Sequence, residues 1–128
     1  MTLASPPALA FLGLIRDTGR GPRREALFAI WLVLRVAEDL ASGEFPERGH
    51  RRRVGALERR LSSLALPPTI RRGLQAALGE LKAGTPEGAS LALSHLVAPA
   101  REGIGPEAAE VLTRAVRRVA ATREQRYR

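Results

Sequence analysis

Ala26-Leu27-Phe28-Ala29-Ile30-Trp31-Leu32-Val33-Leu34 is the longest apolar run in the chain, and its reading decides the fold. Wound as a helix it covers about 14 Å, against roughly 30 Å of hydrocarbon in a bilayer, so it predicts a buried core element and no membrane span. Pro22 suits a first helical position, Arg35 and Glu38-Asp39 return the chain to water, and Gly43 can supply the left-handed residue that stops a helix. The sequence therefore predicts a helix over 22–42. Its run is apolar all round the helical wheel, which predicts a central position enclosed by protein.

The segments on either side read as shorter helices that pack against this one. Ser5-Pro6 starts the first, which should run to Asp17 before the turn Thr18-Gly19-Arg20-Gly21, giving an antiparallel pair with the central helix. Its apolar run Ala8–Ile15 has the length of the apolar core of a signal peptide but lacks a positive lead and a small-residue cleavage site, which predicts a core helix of a cytoplasmic protein. Residues 44–50 are polar, contain Pro and Gly and show no periodicity, so they predict the longest loop. A helix over 51–64 follows, with Val54, Leu57, Leu61 and Leu64 as its stripe, and Leu66-Pro67-Pro68 leads into the next, which Gly84 ends. Thr85-Pro86-Glu87 opens a fifth helix to about Ala98. It carries no charge from Gly88 to Ala100, which predicts enclosure like that of the central helix, with small residues allowing close approach. Pro99 and the glycines 103 and 105 should break the chain. Pro106-Glu107 then starts the last helix, with Ala108, Val111, Leu112, Ala115, Val116 and Val119 facing inward. The expected architecture is all-α: one domain over 1–121, a bundle of five or six up-and-down helices, and a frayed basic tail over 122–128.

A chain of 128 residues can bury such a core without disulfides or metals, and there is no Cys. One Lys stands against twenty Arg, and Asn is absent, a composition that GC-rich coding explains. Coding bias does not explain 21 basic against 13 acidic residues and a net charge of +8. That excess points to an anionic partner.

Catalytic chemistry finds little support. His50 falls in the expected loop and His95 on the uncharged fifth helix, neither with a Cys, His or carboxylate at metal-ligand spacing. A buried His95 bonded to a carbonyl or a Ser is the simpler reading. Adjacent residues such as Ser94 and His95, or Glu38 and Asp39, diverge by about 100° around a helix, and Asp39 is one turn from Arg35, which predicts a surface ion pair. Gly19-Arg20-Gly21-Pro22 lacks the spacing and the Lys-Ser/Thr ending of a phosphate loop. No enzyme activity, cofactor, metal or small-molecule substrate is predicted.

The arginines say more. Cations are favourable at the C-terminal end of a helix, yet Arg23-Arg24, Arg51-Arg52-Arg53 and Arg71-Arg72 open three consecutive predicted helices. Free N–H groups beside guanidinium groups make an anion site, and phosphate is the commonest occupant. Alternating topology would bring the starts of the second and fourth helices together with the end of the first, gathering Arg16, Arg20, Arg23, Arg24, Arg71 and Arg72 against Asp17 and Glu25. Arg51, Arg52 and Arg53 would join Arg117, Arg118 and the tail arginines at the other end. Phe11, Phe28 and Trp31 are expected in the core, leaving Phe45 and Tyr127 exposed, so stacking on bases is poorly supported. The predicted function is a non-catalytic basic module that contacts nucleic-acid backbone without reading sequence, through Arg20, Arg23, Arg24, Arg51, Arg52, Arg53, Arg71 and Arg72, within a larger complex. The alternative is a self-associating or partner-docking subunit that uses Leu9, Leu12, Ile15, Leu93 or Leu96 on its first and fifth helices.

Overall fold

A computed structural model of the protein describes residues 5–43 and 47–126, the side chains of 47, 48 and 123–126 excepted. Among these, six helices follow one another: α1 (Pro6–Asp17), α2 (Pro22–Ser42), α3 (Glu47–Ser62), α4 (Pro68–Lys82), α5 (Pro86–Gly103) and α6 (Pro106–Arg126). The chain is all-α, and no helix of the described residues is long and apolar enough to cross a membrane.

The helix ends follow from local chemistry. Ser5 caps α1 by accepting from the Ala8 N–H, and Thr85 caps α5 by accepting from the Gly88 N–H. Gly43 closes α2 in the left-handed conformation at φ 74°, where a side chain would be strained. α2 touches each of the other five helices, with α5 its closest neighbour, followed by α6 and α1. Phe11, Leu27, Ile30, Leu34, Ile70, Leu81, Leu93, Leu96 and Leu112 are fully enclosed around it. The central position expected of residues 22–42 is thus observed, with one qualification: Phe28, Trp31, Leu32 and Arg35 form a stripe that the described residues bury only in part.

Successive helices alternate in direction. Ser5 at the start of α1 and Arg118 near the end of α6 both act on Glu38 near the end of α2, while His50 of α3 binds the Leu81 carbonyl at the end of α4. At the opposite end, Arg23 of α2 approaches Gly105 between α5 and α6, and Gly103 packs on Ile70 at the start of α4. α4 and α5 lie unusually close. A methyl group at Gly73 would stand 2.7 Å from Pro99 Cγ, and one at Gly88 only 2.5 Å from the Glu80 carbonyl oxygen.

Three boundaries differ from the sequence-based expectation. α3 begins at Glu47, so residues 47–50, assigned to a loop, are helical. Pro99 lies inside α5, which continues to Gly103. Proline removes one N–H and crowds the preceding turn, and Gly73 of α4 provides the space for its ring while lying beside the His95 carbonyl that Pro99 cannot bond. Finally, α6 continues through 122–126, part of the segment read as tail.

α5 is also less enclosed than α2. Its buried positions Ala89, Ala92, Leu93, Leu96 and Ala100 occupy one face, leaving Leu91, Ser94, His95 and Ala98 exposed. The run is uncharged without being apolar all round, since Ala and Ser tolerate water at small cost.

Candidate functional site

The end of the bundle where α2 and α4 start is distinctive in its backbone chemistry. Like α1, α5 and α6 both helices open with Pro, but their cap positions, Gly21 and Pro67, make no side-chain hydrogen bond to the first turn. Their first-turn N–H groups therefore lack the side-chain acceptor that Ser5 and Thr85 give α1 and α5. Arg20, Arg23, Arg24 and Arg72 stand exposed at this end, and among the described residues none of the four pairs with a carboxylate. Arg16 at the end of α1 and Arg101 near the end of α5 are exposed there too. Asp17 and Glu25 share the end, as expected, and α5 and α6 add Glu102 and Glu107.

The other predicted arginines have different settings. Arg71 is half-buried and donates through Nη2 to the Leu64 carbonyl oxygen at 2.6 Å, tying α4 to the segment that follows α3. Arg53 binds Asp39, a buried carboxylate on α2. The expected Arg35–Asp39 surface pair is therefore not the one formed: Asp39 faces α3, and Arg53 reaches it across the interface. Arg51 and Arg52 are exposed at the opposite end of the bundle. Because α3 begins at Glu47, Arg51–Arg53 occupy its second turn instead of opening it. The unfavourable dipole argument fades beyond the first turn, so it holds for Arg23 and Arg24 of α2 and not for Arg51–Arg53 of α3 or for Arg72, which is the fifth residue of α4 as Arg51 is of α3. The expected exposed aromatics Phe45 and Tyr127 lie outside the described residues.

A groove leads away from the basic end along the uncovered stripe of α2. Among the described residues α1 and α3 both pack on α2 but not on each other. Near the start of α2 the groove encloses about 590 Å³ between Leu12 and Ile15 of α1 and Arg20, Arg24 and Phe28. Further along, Trp31, Leu32 and Arg35 meet Ala56, Leu57 and Arg60 of α3 around about 290 Å³. Between the two hollows Phe28 stacks on Trp31, ring centroids 6.2 Å apart, and the Arg60 guanidinium lies 5.3 Å from the Phe28 ring centre. Phe28 and Trp31, expected within the core, instead form its rim, because among the described residues α1 and α3 flank α2 without packing on each other. Trp31 Nε1 is buried without an acceptor among the described residues.

The apolar surface proposed for docking is redistributed as well. Leu93 and Leu96 are fully buried and cannot serve a contact, while Ile15, buried but for an edge, lines the groove. Leu12 belongs to the groove, while Leu9 and Leu91, exposed by 56% and 48%, are the large apolar side chains most open to water among the described residues.

The titratable groups away from the basic end have structural roles. His95 is exposed, not buried, with Nε2 3.2 Å from Glu80 Oε1, and Ser94 donates to the Ser90 carbonyl instead of meeting it. The buried histidine is His50, whose Nε2 lies 2.8 Å from the Leu81 carbonyl oxygen. Sequence reasoning placed it in a loop although Pro46-Glu47 repeats the Pro-Glu start of Pro86-Glu87 and Pro106-Glu107. Burial pushes the Glu38 carboxyl above the ordinary glutamate range, partly offset by a hydrogen bond from Ser5 and the charges of Arg35 and Arg118, with Asp39 adding to the rise. Among the described residues no three His, Asp or Glu side chains gather so as to hold a metal ion.

Comparison with protein-family models, curated proteins and solved structures finds no match for this chain.

Proposed function

We propose that the protein is a non-catalytic binding module that holds polyanion, the phosphate backbone of nucleic acid, at the end of the bundle where α2 and α4 start. The observation that carries this reading is the coincidence of two helix starts lacking side-chain caps with exposed Arg20, Arg23, Arg24 and Arg72. N–H donors and the positive ends of two helix dipoles attract the same charge that the guanidinium groups do. Forked guanidinium donors match phosphate oxygens. The net charge of +8 favours encounter with any polyanion, and the same contacts serve every base sequence alike. A cytoplasmic role within a larger assembly fits this reading.

The test is fluorescence anisotropy of labelled duplex and single strands at about 50 and about 200 mM salt. Log affinity should fall with log salt by about 0.9 for each duplex phosphate neutralised, and less for single strands. Changing Arg20, Arg23, Arg24 and Arg72 together to Gln should reduce that slope by about 3 to 4 on duplex and weaken all sequences equally. Arg51→Gln with Arg52→Gln, at the other end, should leave the slope unchanged. Absence of binding to either strand form at the lower salt would end the reading, and binding that survives the quadruple change would move the site to the Arg51–Arg52 end.

A further inference from the structure

We propose that the groove along α2, between α1 and α3, docks an acidic amphipathic helix from a partner protein. This surface goes beyond the polyanion reading, because its floor is apolar and its charges stand at the rim. Phe28, Trp31 and Leu32 supply a floor of aromatic and aliphatic side chains. Such a floor gains from burying a partner's apolar stripe and gains nothing from a phosphate.

The dimensions fit a helix. From Arg24 to Arg35 the floor spans roughly 16 Å of α2, which is about three turns of a docked helix with anchors at i, i+3, i+4 and i+7. Diverging walls supply the rest: Leu12 and Ile15 on the α1 side, Ala56 and Leu57 on the α3 side.

Charge selects the occupant. Arg20 and Arg24 flank one half of the groove, and Arg35 and Arg60 flank the other, with Glu25 the one acidic residue lining either half. A helix with Leu-type anchors and Glu or Asp on the flanks of its apolar stripe would set carboxylates against these guanidinium groups. A second copy of this chain is a poor occupant, because each carries a net charge of +8. The chain's own last residues, Arg123-Glu124-Gln125-Arg126-Tyr127-Arg128, are basic and fail on the same ground.

Trp31 is the only tryptophan, so its fluorescence reports the groove directly. The experiment titrates the full-length protein with a synthetic helical peptide of about 14 residues, Leu at the anchor positions and Glu on the flanks. A second peptide has the same anchors and Gln in place of every Glu. The acidic peptide should produce a saturable change in Trp31 emission, with the Gln peptide binding at least about tenfold more weakly. Leu32→Glu should abolish the response. Arg24→Gln with Arg60→Gln, at exposed positions that leave the core intact, should weaken binding about tenfold, while Arg23→Gln with Arg72→Gln leaves it unchanged. An unresponsive Trp31 or equal binding of the two peptides each overturns the proposal. A failure here leaves the anisotropy test of the polyanion reading standing, since its four arginines include Arg23 and Arg72, which lie outside the groove.

Discussion

Gly88→Ala and Gly79→Ala are chemically the same change, nine positions apart, and the packing of α4 on α5 gives them opposite signs. A methyl group at Gly88 would stand 2.5 Å from the Glu80 carbonyl oxygen and 3.2 Å from Thr85 Oγ1. An ordinary C···O contact is about 3.3 Å or more, so the start of α5 must retreat by roughly 0.8 Å from a backbone atom that cannot rotate away. The retreat also strains the Thr85 cap, whose oxygen accepts from the Gly88 N–H at 3.0 Å. Overpacking of this kind costs about 1–3 kcal/mol, and replacing a helical Gly returns up to about 1 kcal/mol. The net expectation for Gly88→Ala is a loss of about 1–2 kcal/mol. At Gly79, on the exposed face of α4, nothing lies within 4 Å of the added methyl, so the backbone term acts alone and the variant should gain about 0.5–1 kcal/mol. Urea unfolding followed by circular dichroism measures both, with unchanged m-values as the check that only stability moved. Equal or greater stability of Gly88→Ala would refute the close approach of the two helices.

Further expectations rest on single contacts. Asp39→Asn removes a charge-assisted link between α2 and α3 and should cost about 1–2 kcal/mol by urea unfolding, a figure held down by the partial exposure of Arg53. Arg71→Gln loses the bond to the Leu64 carbonyl and should cost about 1–2 kcal/mol of stability while leaving the salt slope of nucleic-acid binding intact. Glu38→Gln should change stability in a pH-dependent way. Burial raises the folded-state value of Glu38 above the ordinary 4.5, so the folded protein holds this proton more tightly than the unfolded chain. The Glu38 contribution is then fully favourable below the ordinary value and is lost as pH rises through the raised one. The advantage of Glu38→Gln over the parent should therefore be larger at about pH 7 than at about pH 4, and an advantage that shrinks with rising pH would contradict the sign.

The bundle was legible in the sequence where apolar periodicity and capping chemistry agreed, as they do at Ser5-Pro6, Pro22, Gly43 and Thr85-Pro86. It was illegible where the deciding partner is distant. Pro99 stays helical because Gly73, on another helix, makes room for its ring. Asp39 chooses Arg53 over the nearer Arg35 because α3 crosses α2 at that point. The arginines at the starts of α2 and α4 were readable as unusual, but the engagement of Arg71 by a carbonyl was not. The groove was hidden for a related reason. An all-round apolar run predicts full enclosure, and only the lack of packing between α1 and α3 among the described residues reveals that Phe28 and Trp31 border water.

Among the described residues α3 packs on α2 and α4 alone, and its buried stripe is narrow: Val54, Leu57 and Leu61, with His50 and Arg53 pinning its first turns. It is thus a detachable arm on a core that α2, α5 and α6 hold together among themselves. Its amides should exchange with solvent through local opening long before those of α2, at a free-energy cost below that of global unfolding. Each such opening widens one wall of the groove while leaving the central helix in place, so α3 could release a bound helix without the protein unfolding.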